Sequence, residues 1–145
     1  RTGLTEMMEN EYSVSFDNTK GDLDNLELKG NYDLVTSFEV LEHLFNPLFN
    51  LVQIKNLLNP NGRLILSTPL AKPRILWSEE HFHEMSKNSI QALFEVAGLK
   101  VLRKNYFRVY PVTFYFSGVR PLLRLIYDKI QIYELVPFSS SIITS

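Results

Sequence analysis

The stretch YDLVTSFEVLEHLFNP, Tyr32 to Pro47, decides how the chain is read. Its first half, Asp33 to Ser37 (DLVTS), predicts a strand apolar enough to lie between covered faces. Directly after it come Glu39, Glu42 and His43. In open parallel sheets, ligands bind beyond the carboxyl ends of the strands, where loops are free and helix N-termini point at the ligand. A polar cluster at such an end faces a cleft although its strand is buried.

Outward from this stretch the chain alternates strands and helices. Pro47 suits a first helical position, and Leu48, Leu51, Val52, Lys55 and Leu58 mark the expected inward stripe. Asn59-Pro60-Asn61-Gly62 is turn chemistry that ends this helix, and Arg63 to Ser67 (RLILS) predicts another strand, stopped by Pro69. A polar and aromatic loop runs from Leu70 to Met85. Ser86 then predicts an N-cap for a helix lined by Ile90, Leu93, Phe94 and Ala97 and ended by Gly98. Leu99 to Phe107 predicts a strand, and Val119, Leu122, Leu123, Ile126 and Ile130 an amphipathic helix between Ser117 and Tyr133. Ser139 to Ser145 (SSSIITS) reads as a last, truncated strand. Towards the amino end, Thr2 to Asn10 predicts a short helix and Tyr12 to Phe16 a strand ending at Asp17, followed by the pair Gly21-Asp22. The expectation is α/β: a three-layer sandwich with a mostly parallel sheet and helices on both faces.

The 145 residues are about one domain, and 45% hydrophobic content is enough for a core. Without cysteine there is neither a disulfide framework nor a thiolate metal site. No apolar run is long enough to span a bilayer and no signal peptide is legible, so a soluble, cytoplasmic protein is expected. The net charge of −1 conceals an asymmetry. Residues 1–50 hold ten Asp/Glu against three Lys/Arg, whereas Lys100 to Gln131 holds seven Lys/Arg against Asp128. That basic end is compatible with an anionic substrate, a membrane surface or a plain solvated face, and nothing indicates nucleic acid.

The sequence resembles the class I S-adenosylmethionine-dependent methyltransferases, especially the small-molecule and quinone-type group. The resemblance rests on Gly21 to Pro47, on LLNPNGRLILSTP (Leu57 to Pro69), and on the helix, Gly and strand order of SIQALFEVAGLKVL (Ser89 to Leu102). It implies a Rossmann-like fold with strand order 3-2-1-4-5-7-6, strand 7 antiparallel, and SSSIITS as part of strand 7. It also implies S-adenosylmethionine as cofactor. Asp17 would accept hydrogen bonds from the ribose hydroxyls, Asp22 from the adenine amino group, and Leu23 would pack on the ring. Ser37, Phe38 and Glu39 would border the methionine moiety, and Gly3 would be the last glycine of the Gly-rich loop. Two features depart from the family pattern. The chain begins at Arg1, without the first strand and the start of the Gly-rich loop, and four residues between Asp17 and Asp22 are too few for a crossover helix. A shortened or incomplete cofactor half within a single domain, residues 1–145, is the expectation.

The resemblance implies methyl transfer to an oxygen, nitrogen or carbon nucleophile of a small molecule. His43 is the candidate base, since imidazole titrates near neutrality. Trp77, His81 and Phe82 are expected at the acceptor, and residues 106–133 as a lid or substrate-binding insertion. No metal is favoured, but Glu39, Glu42 and His43 form ExxEH, and with His81 they look like the divalent-ion site of small-RNA 2′-O-methyltransferases and some quinone O-methyltransferases. The alternative function is a non-catalytic, methyltransferase-like binding module whose cofactor half is degenerate. A nucleotide-binding dehydrogenase is weaker, because no full G-x-G-x-x-G is present.

Overall fold

The computed structural model describes Glu11, Leu23, Asp24, residues 29–108, Phe116 and residues 118–138. The helix and strand expected before Asp17, with Gly3, Asp17 and Asp22, and the strand expected at Ser139–Ser145 lie outside the described residues.

Four strands form one sheet: β1 (Tyr32–Phe38), β2 (Leu58–Pro69), β3 (Leu99–Phe107) and β4 (Ile130–Pro137). Their order is β1-β2-β4-β3. β1 pairs parallel with β2, while β4 runs antiparallel to both β2 and β3. This order matches the 4-5-7-6 half of the expected sheet. The expectation of a mostly parallel sheet is corrected for the described part, where two of the three pairings are antiparallel. The antiparallel strand is Ile130–Pro137, so Ile130 to Tyr133 leave the amphipathic helix in which they were expected. Alternation explains it: Gln131, Tyr133 and Leu135 are buried and the residues between them are not, a period of two.

The helices follow their local chemistry. Helix α1 (Pro47–Leu57) has Pro47 at its first position, and the Asn46 side chain accepts from Phe49 N at 3.0 Å. Its buried face is Asn50, Leu51, Ile54 and Leu57, rotated from the expected stripe, for Val52 is exposed and Leu58 begins β2. Helix α2 (Lys87–Val96) is capped by Ser86, whose Oγ accepts from Ser89 N at 3.1 Å, and ends at Gly98 with φ 77°. Helix α3 (Val119–Tyr127) is short and amphipathic. Within residues 106–133, Tyr106 and Phe107 belong to β3 and Ile130 to Tyr133 to β4.

One apolar cluster joins α1 (Leu51, Ile54), α2 (Ile90, Phe94), β2 (Leu64, Leu66), β3 (Leu99) and β4 (Tyr133, Leu135). Both helices therefore cover the same sheet face. On β1, Ser37 is buried and Val35 packs on the cluster, whereas Leu34 and Phe38 are more than half exposed. The expectation that this strand is covered on both faces is corrected accordingly; among the described residues no helix lies over Leu34 and Phe38. Among those residues, too, no helix is long and apolar enough to cross a membrane.

Candidate functional site

β1 and β2 end side by side, with Phe38 opposite Ser67. Glu39 follows at once, and its backbone turns into the left-handed region with φ 52°, uncommon for a residue with a side chain. Two bonds hold it there: Glu39 N donates to Ser67 O at 3.1 Å, and Ser67 Oγ donates to Glu39 Oε1 at 2.7 Å. The chain then coils into a single 3-10 turn, Leu41–His43. Leu41 enters the core, and the turn carries Glu42 and His43 to the end of the sheet.

Glu42 is 1% exposed. Its Oε2 accepts from Thr68 Oγ1 at 3.1 Å, and its Oε1 is buried without a hydrogen-bond partner among the described residues. Burial raises the Glu42 carboxyl above its ordinary range, and the nearby charge of Glu39 adds to this; bonds from its own backbone and Thr68 and the proximity of His43 oppose it. The Glu42 carbonyl accepts from Phe82 N at 2.8 Å and His83 N at 3.2 Å, which draws the loop after β2 onto the turn.

That loop delivers the second histidine. The His43 and His81 rings meet edge to face with centroids 4.8 Å apart. His43 Nδ1 lies 3.0 Å from Glu80 O, and His81 Nδ1 lies 2.8 Å from Glu84 Oε1. A carbonyl accepts only, so Nδ1 of His43 is the donor in its bond, and a carboxylate at Glu84 sets His81 Nδ1 as donor in the same way. One ligand atom from each of Glu42, His43 and His81 lies within 4.8 Å of the others. Three of the four residues of the alternative ion site are close together; the Glu39 carboxylate is instead bonded to Ser67.

A cleft of about 240 Å³ opens beside this group, lined by Glu39, Lys72, His81, Arg124, Asp128 and Lys129, among others. Lys72 Nζ lies 3.2 Å from Glu84 Oε1 and 3.4 Å from Asp128 Oδ1, and the Lys72 and Glu84 side chains are almost wholly buried. Arg124 Nη2 donates to Leu76 O, while Arg124 Nε and Asp128 Oδ2 are buried without partners among the described residues.

Of the other expected residues, Ser37 is buried at the end of β1 and Phe38 is exposed beside it. Leu23 packs against the core. Trp77 Nε1 donates to Lys72 O at 2.8 Å, and Phe82 stacks on Phe45 with centroids 4.3 Å apart. Sequence reasoning missed Lys72, Glu84, Arg124 and Asp128, which meet across long separations, and also Asp24, whose two oxygens accept from Phe45 N and Asn46 N.

The sequence profile described as "Methyltransferase domain" matches residues 5–104. No curated protein matches significantly. Among solved structures, a methyltransferase of Haloferax volcanii in complex with the Trm112 methyltransferase activator is similar with a TM-score of 0.64 and 18% identity, over 92% of this chain and 68% of that one. A Leishmania major S-adenosylmethionine-dependent methyltransferase gives 0.58 and 16%, over 78% and 42%. The 1,6-didemethyltoxoflavin-N1-methyltransferase of Burkholderia thailandensis, with S-adenosylhomocysteine bound, gives 0.57 and 13%, over 81% and 48%. The chain therefore spans less than half the length of the last two. At these identities the likeness is one of fold.

Proposed function

The chain belongs to the methyltransferase domain family, and from that premise we propose that it transfers a methyl group from S-adenosylmethionine to an oxygen, nitrogen or carbon nucleophile of a small molecule. The observation that carries this reading is the convergence of Glu42, His43 and His81 beyond the carboxyl ends of β1 and β2, beside an open cleft.

S-adenosylmethionine, when bound, supplies a methyl group activated by a sulfonium. Leu23, Ser37, Phe38 and Glu39 would border it, together with Gly3, Asp17 and Asp22, and the strained Glu39 backbone would set the border's position. In-line transfer rests on holding an acceptor close and aligned, so positioning is the larger part of the task. The bond to Glu80 O fixes the His43 ring with its Nε2 lone pair free to take the acceptor's proton. Arg124 Nε offers a buried donor and Asp128 Oδ2 a buried acceptor for polar groups of the substrate. Trp77, His81 and Phe82 are proposed as acceptor contacts, and residues 106–133 as the region that shapes the cleft's outer side. Calorimetric titration with S-adenosylmethionine tests the reading: saturable heat is expected, and none at millimolar protein would overturn it. With an acceptor in hand, His43→Gln should lower kcat by roughly 10²–10⁴ with little change in cofactor affinity.

A second reading is favoured by one orphaned atom. Glu42 Oε1 is buried and unpaired among the described residues, next to two imidazoles whose Nδ1 atoms are already engaged. Glu42, His43 and His81 fit a divalent cation, and the Glu84 carboxylate behind His81 is the outer partner that metal-bound histidines usually have. When bound, such an ion lowers the pKa of an attacking hydroxyl. Mn²⁺ should raise the melting temperature saturably, by about 2.7 kcal/mol of stability at a hundred times its dissociation constant, and Glu42→Gln should abolish the effect. No shift, with activity indifferent to EDTA, would remove this reading.

A further inference from the structure

Helix α3 is turned the opposite way from a packed helix. Val119, Leu122, Leu123 and Ile126 recur at the spacing that globular proteins turn to the core. Here Val119 is 78% exposed, Ile126 65%, and Leu122 and Leu123 nearly half. The inward side carries a charge instead: Arg124 reaches Leu76 O at 3.1 Å and lines the cleft. Ile75, in the turn that Arg124 grips, is 80% exposed, and Phe116 before the helix is 69% exposed. Among the described residues nothing covers Val119, Leu122, Leu123 and Ile126 of the helix, and side chains of this size left in water forgo about 1.5–3 kcal/mol each that burial would return.

Charge decides the occupant. Of the seven Lys/Arg in residues 100–131, Lys100, Arg103 and Lys104 belong to β3, where Arg103 pairs with Glu134, whereas Arg120 and Arg124 lie on α3 and Arg108 and Lys129 lie next to it, against one acid, Asp128, whose carboxylate is already engaged by Lys72. Arg108 and Lys129, both at the carboxyl end of α3, are exposed, and Arg108 Nη2 donates to Leu125 O at 3.1 Å. A second copy would bring the same positive charge against itself, whereas an anionic lipid surface would attract it. Nine residues are far too few to cross a bilayer and suit a helix lying in its plane. We propose that α3 docks the protein on anionic bilayers, with Val119, Leu122, Leu123 and Ile126 immersed at the headgroup boundary and the basic residues at phosphate level. Because Arg124, Asp128 and Lys129 line the cleft, docking sets its mouth at the lipid boundary. This inference rests on the helix and stands independently of the methyl-transfer reading.

Co-sedimentation of the full chain with vesicles tests it. Phosphatidylcholine vesicles containing about 30% phosphatidylglycerol should bind the protein, phosphatidylcholine alone should bind it much less, and added salt should weaken the interaction. The double variant L122E/I126E should lower partitioning roughly tenfold or more while the melting temperature stays in place, since both side chains face solvent. Should that variant fold poorly, Val119→Gln at the most exposed position serves the same comparison. Absence of binding to the anionic vesicles would overturn the proposal, as would equal binding by the variants. Elution as a dimer that L122E/I126E dissociates, without vesicle binding, would assign the row to a second copy and equally overturn it.

Discussion

Glu42 is the residue at which the site's chemistry and its stability meet. It is sealed from water, yet among the described residues only one of its carboxylate oxygens finds a partner. Its folded-state pKa is raised above the unfolded value, so the folded chain binds the extra proton more readily. The contribution that follows is fully present below the ordinary glutamate range near about 4.3 and is lost as pH rises through the folded value. At neutral pH, then, the ionised carboxylate is a cost. Without metal, Glu42→Gln should melt above the wild type at pH 7, with the gap closing as pH falls towards 4; a variant that melts lower at pH 7 would contradict this account. Lys72 is the converse case. It stands between Glu84 and Asp128, with little of the three side chains reaching water. Lys72→Met removes the cation between two buried carboxylates, leaving Glu84 with its His81 contact alone, and should cost about 3–5 kcal/mol, read as a lowered midpoint in chemical denaturation. Replacing the pair together, as Lys72→Met with Glu84→Gln, should recover part of that loss. None of the pairings that Lys72 makes was legible in the sequence, because Lys72 and Asp128 are 56 positions apart and no local pattern couples them.

Legibility at the scale of elements follows the range of the forces that make them. The β3 boundaries, the Ser86 cap and the Gly98 stop read directly, for a cap or a glycine terminus is decided within a few residues. The rotation of α1 and the early end of α3 did not, since both depend on what the element packs against. Val52 reads as an inward residue by spacing but is left exposed, and Ile130 continues the helical period but is claimed by the β2–β4 and β3–β4 ladders. Asn59 to Gly62 shows both effects. β1 advances two residues from Tyr32 to Leu34 while its partner advances from Leu58 to Arg63, so the turn chemistry is real but is absorbed as an irregularity inside the strand pairing. Gly62 makes that possible: a Cβ there would stand 2.8 Å from Tyr32 O and 3.1 Å from Asn59 N, both backbone atoms that cannot swing aside. Gly62→Ala should therefore cost about 1–3 kcal/mol in equilibrium unfolding, whereas Gly98→Asn, at a helix terminus with positive φ that asparagine tolerates, should cost less.

For the molecule as a whole, the topology gives a late segment a central task. β4 is the last described strand, yet it lies between β2 and β3, and β3 has no other described neighbour. Its inward residues are Gln131, Tyr133 and Leu135. Tyr133 packs edge to face on Phe94 at 5.0 Å and donates to Gln131 Oε1 at 2.6 Å, while Gln131 Nε2 reaches Pro69 O at 3.4 Å. Burial pushes the Tyr133 hydroxyl up to about 12, with Tyr106 adding to it, so this donor keeps its proton throughout the working pH range. The same strand follows Asp128 and Lys129, which line the cleft, so sheet closure and the cleft's outer wall form together. Tyr133 and Leu135 alone account for about 1.5–3 kcal/mol each of burial, before the ladder bonds on both sides of the strand, against a typical total of about 5–15 kcal/mol. A chain ending at Lys129 should lose cooperative thermal unfolding and its near-ultraviolet circular dichroism, although the helical stretches α1 and α2 remain in the sequence. Tyr133→Phe should cost only about 1–2 kcal/mol, because it unpairs one buried oxygen and leaves the strand in place. If the shortened chain still melted cooperatively, the core built on β2 would not need β4, and the centrality assigned to that strand would be wrong.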